Sequence, residues 1–151
     1  MRSVLNPVAG TVVAMSEVPD PVFAQGMVGP GIAVDPGPAA ASDACAPIGG
    51  VVLSLHPHAF VVVGDDGRGV LVHLGIDTVQ LGGEGFVPHV AKGDVVVAGQ
   101  RVITWSPRAV SDGGRPALVP VVVLELPAED LEILVPPGET IAAGAPLLAF
   151  S

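Results

Sequence analysis

Three of the chain's four histidines fall in one stretch, HPHAFVVVGDDGRGVLVHLGID, residues 56–77. Imidazoles at His56, His58 and His73 stand there among valines. A neutral imidazole nitrogen can attack a phosphorus or carbonyl centre. A second imidazole beside it can hydrogen-bond the oxygens of the group being transferred, where charge develops. Two other readings compete. The histidines are core residues satisfied by backbone partners, or they hold a metal. HPH is an HxH pair and His73–Asp77 an HxxxD pair, and zinc hydrolases combine His and Asp ligands with one open position for water. HxH on a strand puts both imidazoles on one face, but Pro57 between the first two histidines puts a kink or loop there as easily as a strand. No Glu or further His at close spacing offers itself as general base.

The elements that position these residues read as a hairpin. FVVV and VLVHL flank GDDGRG, and Asp-Gly between valine runs is a hairpin signal. A turn centred between Asp66 and Gly67 sets Val63 opposite Val70, Val61 opposite Val72 and Phe60 opposite His73. His58, two residues before Phe60, then shares its face. It becomes the diagonal neighbour of His73, at roughly 7–8 Å between backbones and within side-chain reach. The expectation is a shallow, exposed depression holding both rings, with Phe60 and Val79 at its rim. A shift of one residue in this register sends side chains to opposite faces.

The 151 residues carry twenty Gly, sixteen Pro, only five aromatic residues, and a formal charge of −9 from six Lys+Arg against fifteen Asp+Glu. Short valine-rich runs cut by Gly and Pro predict an all-β fold. We expect an antiparallel β-sandwich or barrel-like domain with internally duplicated β units and little helix. The acidic balance argues against nucleic acid, whose phosphates need a basic footprint, and against an anionic membrane surface. It suits a partner with a basic contact face. Cys45 is the only cysteine, which fits a reducing cytosol. There is no signal-peptide pattern and no apolar run long enough to span a bilayer. A soluble cytoplasmic domain without stable membrane insertion is expected.

Two internal echoes run along the chain. PVAGTV (residues 7–12) is repeated by PIGGVV (47–52), and KGDVVVAGQRVITW (92–105) by PGETIAAGAPLLAF (137–150). Two echoing pairs are too few for a solenoid and predict duplicated β units around one core. Residues 128–135 read as a short helix or turn, and residues 106–117 and 35–44 as loops. The Gly-acid-x-apolar repeats also raise a swinging-cofactor carrier, but Lys92, the only lysine, opens its repeat rather than crowning a turn.

The run HAF…VLVHLGIDTVQLGGEGF resembles the IIA domain of the glucose family of bacterial phosphoenolpyruvate-dependent sugar phosphotransferase systems. The segment EVPDPVFAQGMVGPGIAVDP (residues 17–36) and LVPVVV (118–123) resemble further parts of that family, so the likeness covers residues 4–150. It implies a phosphohistidine carrier, a phosphotransferase component. His73 would accept a phosphoryl group from the phosphocarrier protein HPr and pass it to a cysteine on the IIB domain of a sugar permease. His58 would support the transfer. The resemblance places an apolar partner-binding ring at Val22, Phe23, Met27, Val28, Phe60 and Val79, with acidic positions at Asp20 and Asp77. It implies no obligatory cofactor beyond the transient phosphohistidine, although a His58–His73 pair can also bridge a zinc ion. Relatives usually have Thr two residues before the first histidine, where this chain has His56, and often Asp where it has Pro30. No amphipathic tail precedes Val4 and the chain ends at Ser151, so a single free-standing domain, residues 1–151, is expected.

Overall fold

The computed structural model describes every residue from Met1 to Ser151. The chain forms fourteen strands: β1 (Arg2–Leu5), β2 (Gly10–Val13), β3 (Gly31–Asp35), β4 (Ser42–Cys45), β5 (Gly50–His56), β6 (Ala59–Val63), β7 (Gly69–His73), β8 (Phe86–Pro88), β9 (Val95–Val96), β10 (Arg101–Trp105), β11 (Val119–Val123), β12 (Leu131–Ile133), β13 (Thr140–Ile141) and β14 (Pro146–Phe150). All pairings are antiparallel. One large sheet runs β13-β2-β3-β11-β7-β6-β5-β9, and two small sheets run β1-β14-β12 and β4-β10-β8. The all-β expectation holds.

The order of the large sheet is a palindrome about the β11–β7 contact. β13, β2, β3 and β11 on one side match β9, β5, β6 and β7 on the other, and the two small sheets match each other. Backbone hydrogen bonds repeat across this pseudo-twofold. Leu5 N–H donates to the Pro47 carbonyl and Cys45 N–H to that of Pro7, both at 2.9 Å. Gly144 N–H meets the Asn6 carbonyl and Gly99 N–H that of Ala46, both at 2.8 Å. Gly138 to Val12 and Gly93 to Val52 repeat the same distance. The two sequence echoes are therefore two halves of one architecture. One half is continuous, residues 42–105. The other is assembled from residues 119–150 and 2–35, which meet where β1 pairs with β14.

Alternation along the strands builds the core. In β7, Val70 and Val72 are buried while Leu71 and His73 face outward and are only partly exposed. The inward residues of the large sheet join those of both small sheets, including Trp105 and Leu148, in one apolar cluster. A second, smaller cluster of Val18, Phe23, Ala33, Ile76 and Val122 lies apart from it, Val122 being the cross-strand partner of Leu71.

Two short helices depart from the sequence reading. α1 (Pro21–Ala24) is capped by Asp20, whose carboxylate accepts from Val22 N–H at 2.9 Å. α2 (Pro107–Asp112) lies in the segment read as a loop and is capped by Ser106 Oγ, which accepts from Ala109 N–H at 3.1 Å. Each has a capping side chain followed by Pro at the first helical position, a local start signal that Gly and Pro content obscured. Residues 128–135 form a single 3-10 turn and then β12. No helix is long and apolar enough to cross a membrane.

Candidate functional site

The register of the β6–β7 hairpin differs by one residue from the sequence expectation. Val63 pairs with Gly69, Val62 with Val70, Phe60 with Val72 and Ala59 with His73. The turn centres on Asp66 itself. Its carboxylate accepts from Arg68 N–H at 3.0 Å, and Gly64 N–H reaches the Arg68 carbonyl at 3.1 Å. Arg2 clamps the turn from outside through both Asp65 and Asp66. Phe60 consequently faces the core, fully buried, on the side of the sheet opposite His73. This corrects its placement at the rim of a partner-binding ring.

His58 and His73 meet nevertheless, because His58 lies outside the strand. β5 and β6 are joined by Pro57 and His58 alone, with His56 paired to Ala59. Proline presets the backbone for the first central position of such a turn. The His58 carbonyl accepts from Leu74 N–H at 2.7 Å, which ties the turn to the end of β7. Gly83 packs against the Pro57 ring, where an added Cβ would lie 3.2 Å from it. The His58 ring then stands edge-on to that of His73, with centroids 5.1 Å apart and planes at 75°.

His73 lies between two rings, for Phe23 packs on it at the same centroid distance of 5.1 Å, tilted by 58°. Its Nδ1 is 2.6 Å from the Gly75 carbonyl. A carbonyl only accepts, so Nδ1 carries a proton, and in the neutral ring Nε2 keeps its lone pair. The Gly75 carbonyl is held in place by backbone geometry. Gly75 is left-handed at φ 79°, and a Cβ there would stand 2.7 Å from Thr78 Cγ2 and 3.1 Å from the Pro116 carbonyl. Buried Thr78 donates its hydroxyl to the Leu74 carbonyl at 2.7 Å, and Ile76 N–H bonds the Pro116 carbonyl at 2.9 Å. Asp77 follows in the left-handed region at φ 60°, unusual for a residue with a side chain.

Burial pushes the His73 imidazole below the ordinary histidine range. The Gly75 hydrogen bond and the charges of Asp20 and Asp77 pull it back up without cancelling that effect. His58 is pushed down first by burial, then by repulsion from His73 and His56. Both rings are thus held toward the neutral form that nucleophilic attack requires.

Around the pair, Val22, Met27 and Val79 are exposed at 39%, 68% and 63%, enough to offer contact area to a partner. Val28 is half-buried, and Phe23, at 6%, is a packing partner of His73 rather than a surface residue. Asp20 is half-buried at the cap of α1 and Asp77 is exposed. Sequence reading missed the supporting roles of Pro57, Gly75 and Thr78. Their signal was a turn-forming Pro between histidines and a Gly within two residues of His73.

The zinc reading does not fit these residues. No three His, Cys, Asp or Glu side chains converge where one ion would bind them all. The His56 and His58 rings are tilted neighbours with centroids 5.8 Å apart, and the His58 ring stands edge-on to that of His73. The HxH and HxxxD hydrolase is set aside.

An antiparallel β fold that presents one oriented imidazole, held toward its neutral form, beside a second within a rim of exposed apolar side chains defines a class of protein with a histidine pair at its surface. The chain belongs to the family described as phosphoenolpyruvate-dependent sugar phosphotransferase system, EIIA 1, whose model matches residues 2–129. It is 35% identical over 123 residues to the glucose-specific EIIA component of Oceanobacillus iheyensis, covering 80% of this chain and 73% of that one. It is 41% identical over 122 residues to the glucose-specific EIIBCA component of Corynebacterium glutamicum, again over 80% of this chain, but spans only 18% of that relative's length. The solved glucose permease IIA from Mycoplasma capricolum superposes with a TM-score of 0.86 at 32% identity, over 97% of this chain and 93% of that one. The protein is a phosphotransferase-system EIIA component, and its relatives include EIIA alone as well as EIIA joined to EIIB and EIIC.

Proposed function

We propose that the chain is a phosphohistidine carrier acting in the cytoplasm, with HPr as donor and the IIB domain of a sugar permease as acceptor. The observation that carries this reading is the Gly75 carbonyl bonded to His73 Nδ1, which leaves Nε2 as the attacking atom. The Nε2 lone pair attacks phosphorus on the donor's phosphohistidine. The N–P bond of the donor breaks, and its electron pair returns to the donor nitrogen. In the second half-reaction a IIB cysteine thiolate attacks the same phosphorus, and the N–P pair returns to Nε2. His58 supports both steps by donating an N–H to the phosphoryl oxygens as their charge shifts. Neither step consumes a metal or cofactor. Val22, Met27, Val28 and Val79 provide apolar contact area, with Asp20 and Asp77 as the acidic rim facing basic partner side chains. Phe23 acts by holding His73.

Incubation with radiolabelled phospho-HPr, followed by mapping of the labelled residue, tests this. Label on His73 is the expected result. Label on His58, His56 or His89 reassigns the nucleophile, and no label at all ends the carrier reading.

A further inference from the structure

His56 stands beside the site without a part in the phosphoryl step. It ends β5 as the first residue of the turn that carries His58, and its ring is exposed. The ring centroids of His56 and His58 are 5.8 Å apart with planes at 35°, and those of His58 and His73 are 5.1 Å apart. Three imidazoles form a ladder that begins at the nucleophile and ends in solvent. Pro57 fixes its outer step, since a proline between His56 and His58 leaves the turn little freedom.

We propose that His56 is a positioning residue that sets the charge on His58 and thereby links retention of the phosphoryl group to pH. This deepens the carrier reading and rests on it. The charged groups around the ladder are few. His58 faces His73 from β7 and His56 from β5. Glu84 follows Gly83 in the loop packed on Pro57. Asp20, at the cap of α1, and Asp77, beyond β7, act on His73. In the bare protein burial holds His58 toward the neutral form, and repulsion from His73 and His56 adds to it, so the ring offers one N–H.

A phosphoryl group on His73 Nε2 reverses this balance. Its negative charge draws protons from solvent onto His58 and then His56, and the ladder becomes the counter-charge. The phosphorylated form then binds more protons than the bare form. By linkage, the protein holds the phosphoryl group more firmly as pH falls through the ordinary imidazole range and gives it up more readily as pH rises.

Two variants of this exposed residue test the ladder. In the unphosphorylated protein, an NMR titration should show the His58 midpoint raised in His56→Gln and lowered in His56→Lys. The equilibrium of phosphoryl exchange with HPr is then measured between about pH 6 and about pH 8, the span of ordinary imidazole titration. His56→Gln should show a pH response about two- to fivefold smaller than the parent protein, the size of one exposed charge pair. His56→Lys should hold the phosphoryl group firmly across the whole range. An unmoved His58 midpoint, or superimposable exchange profiles, overturns the proposal. If the parent protein takes no phosphoryl group from HPr, the carrier reading falls, and the NMR titration still decides whether His56 governs His58.

Discussion

The hairpins β5–β6 and β2–β3 occupy equivalent places in the two halves of the large sheet, yet they are closed in opposite ways. β5–β6 is closed by residues 57–58, β2–β3 by residues 14–30. Along the pairings Val52–Val62–Val70 and Val12–Val34–Val119, three residues further on, His73 in one half corresponds to Val122 in the other. His73 is partly exposed, whereas Val122 is fully buried in the cluster with Phe23. The short turn leaves its half of the sheet open and puts an imidazole at the edge of the opening. The long connection covers the other half and extends Asp20, Val22, Phe23 and Met27 toward that opening. Duplication supplied the scaffold. The site arises where the two copies differ.

The largest test of this asymmetry exchanges roles between His73 and Val122. His73→Ala should abolish phosphoryl acceptance while leaving the fold intact, since the ring is partly exposed and on the outer face. Val122→Ala should cost about 1–3 kcal/mol of stability, because it truncates a buried side chain, yet leave label on the protein. Retained acceptance by His73→Ala would erase the functional difference between the halves.

Gly75→Ala comes next. At φ 79°, with a Cβ driven against Thr78 and the Pro116 carbonyl, we expect a loss of about 1–3 kcal/mol. The displaced Gly75 carbonyl should also slow phosphorylation, because His73 Nδ1 loses its partner. Gly138→Ala also strains a left-handed backbone, at φ 96°, but meets no atom within 4 Å and lies on a far turn of the other half. It should destabilise less and leave the phosphorylation rate alone. Equal effects on that rate would show that the carbonyl does not orient the ring.

The smallest effect is the pH dependence of stability. His58 and His73 are both held below the ordinary histidine value in the folded protein. Between their folded values and about 6.5, the unfolded chain therefore carries more protons. Stability should rise with pH across that window and level off above it. Denaturant midpoints measured across the window should fall on acidification, and His73→Gln should flatten the fall. A midpoint that rises as pH drops would contradict burial as the dominant influence on these rings.

Much of this was legible in the chain. The two echoes foretold the two halves, because hydrogen-bonded Gly and Pro turns leave a local signature wherever they recur. The valine runs foretold strands, and the likeness to the IIA family foretold His58 beside His73. The hairpin register was not legible. Asp66 captures Arg68 N–H, and the turn moves by one residue, which sends Phe60 into the core. Sequence alternation alone could not resolve that shift, since both faces of these strands are rich in valine. His58 still reaches His73 for a reason that no strand pattern contains: it sits on a proline turn and is tied by its carbonyl to Leu74. Types and spacings of residues determined the strands, the duplication and the candidate nucleophile. The tertiary structure decided which nitrogen is free, which phenylalanine supports it and which imidazole stands beside it, because each depends on backbone groups brought together from distant parts of the chain.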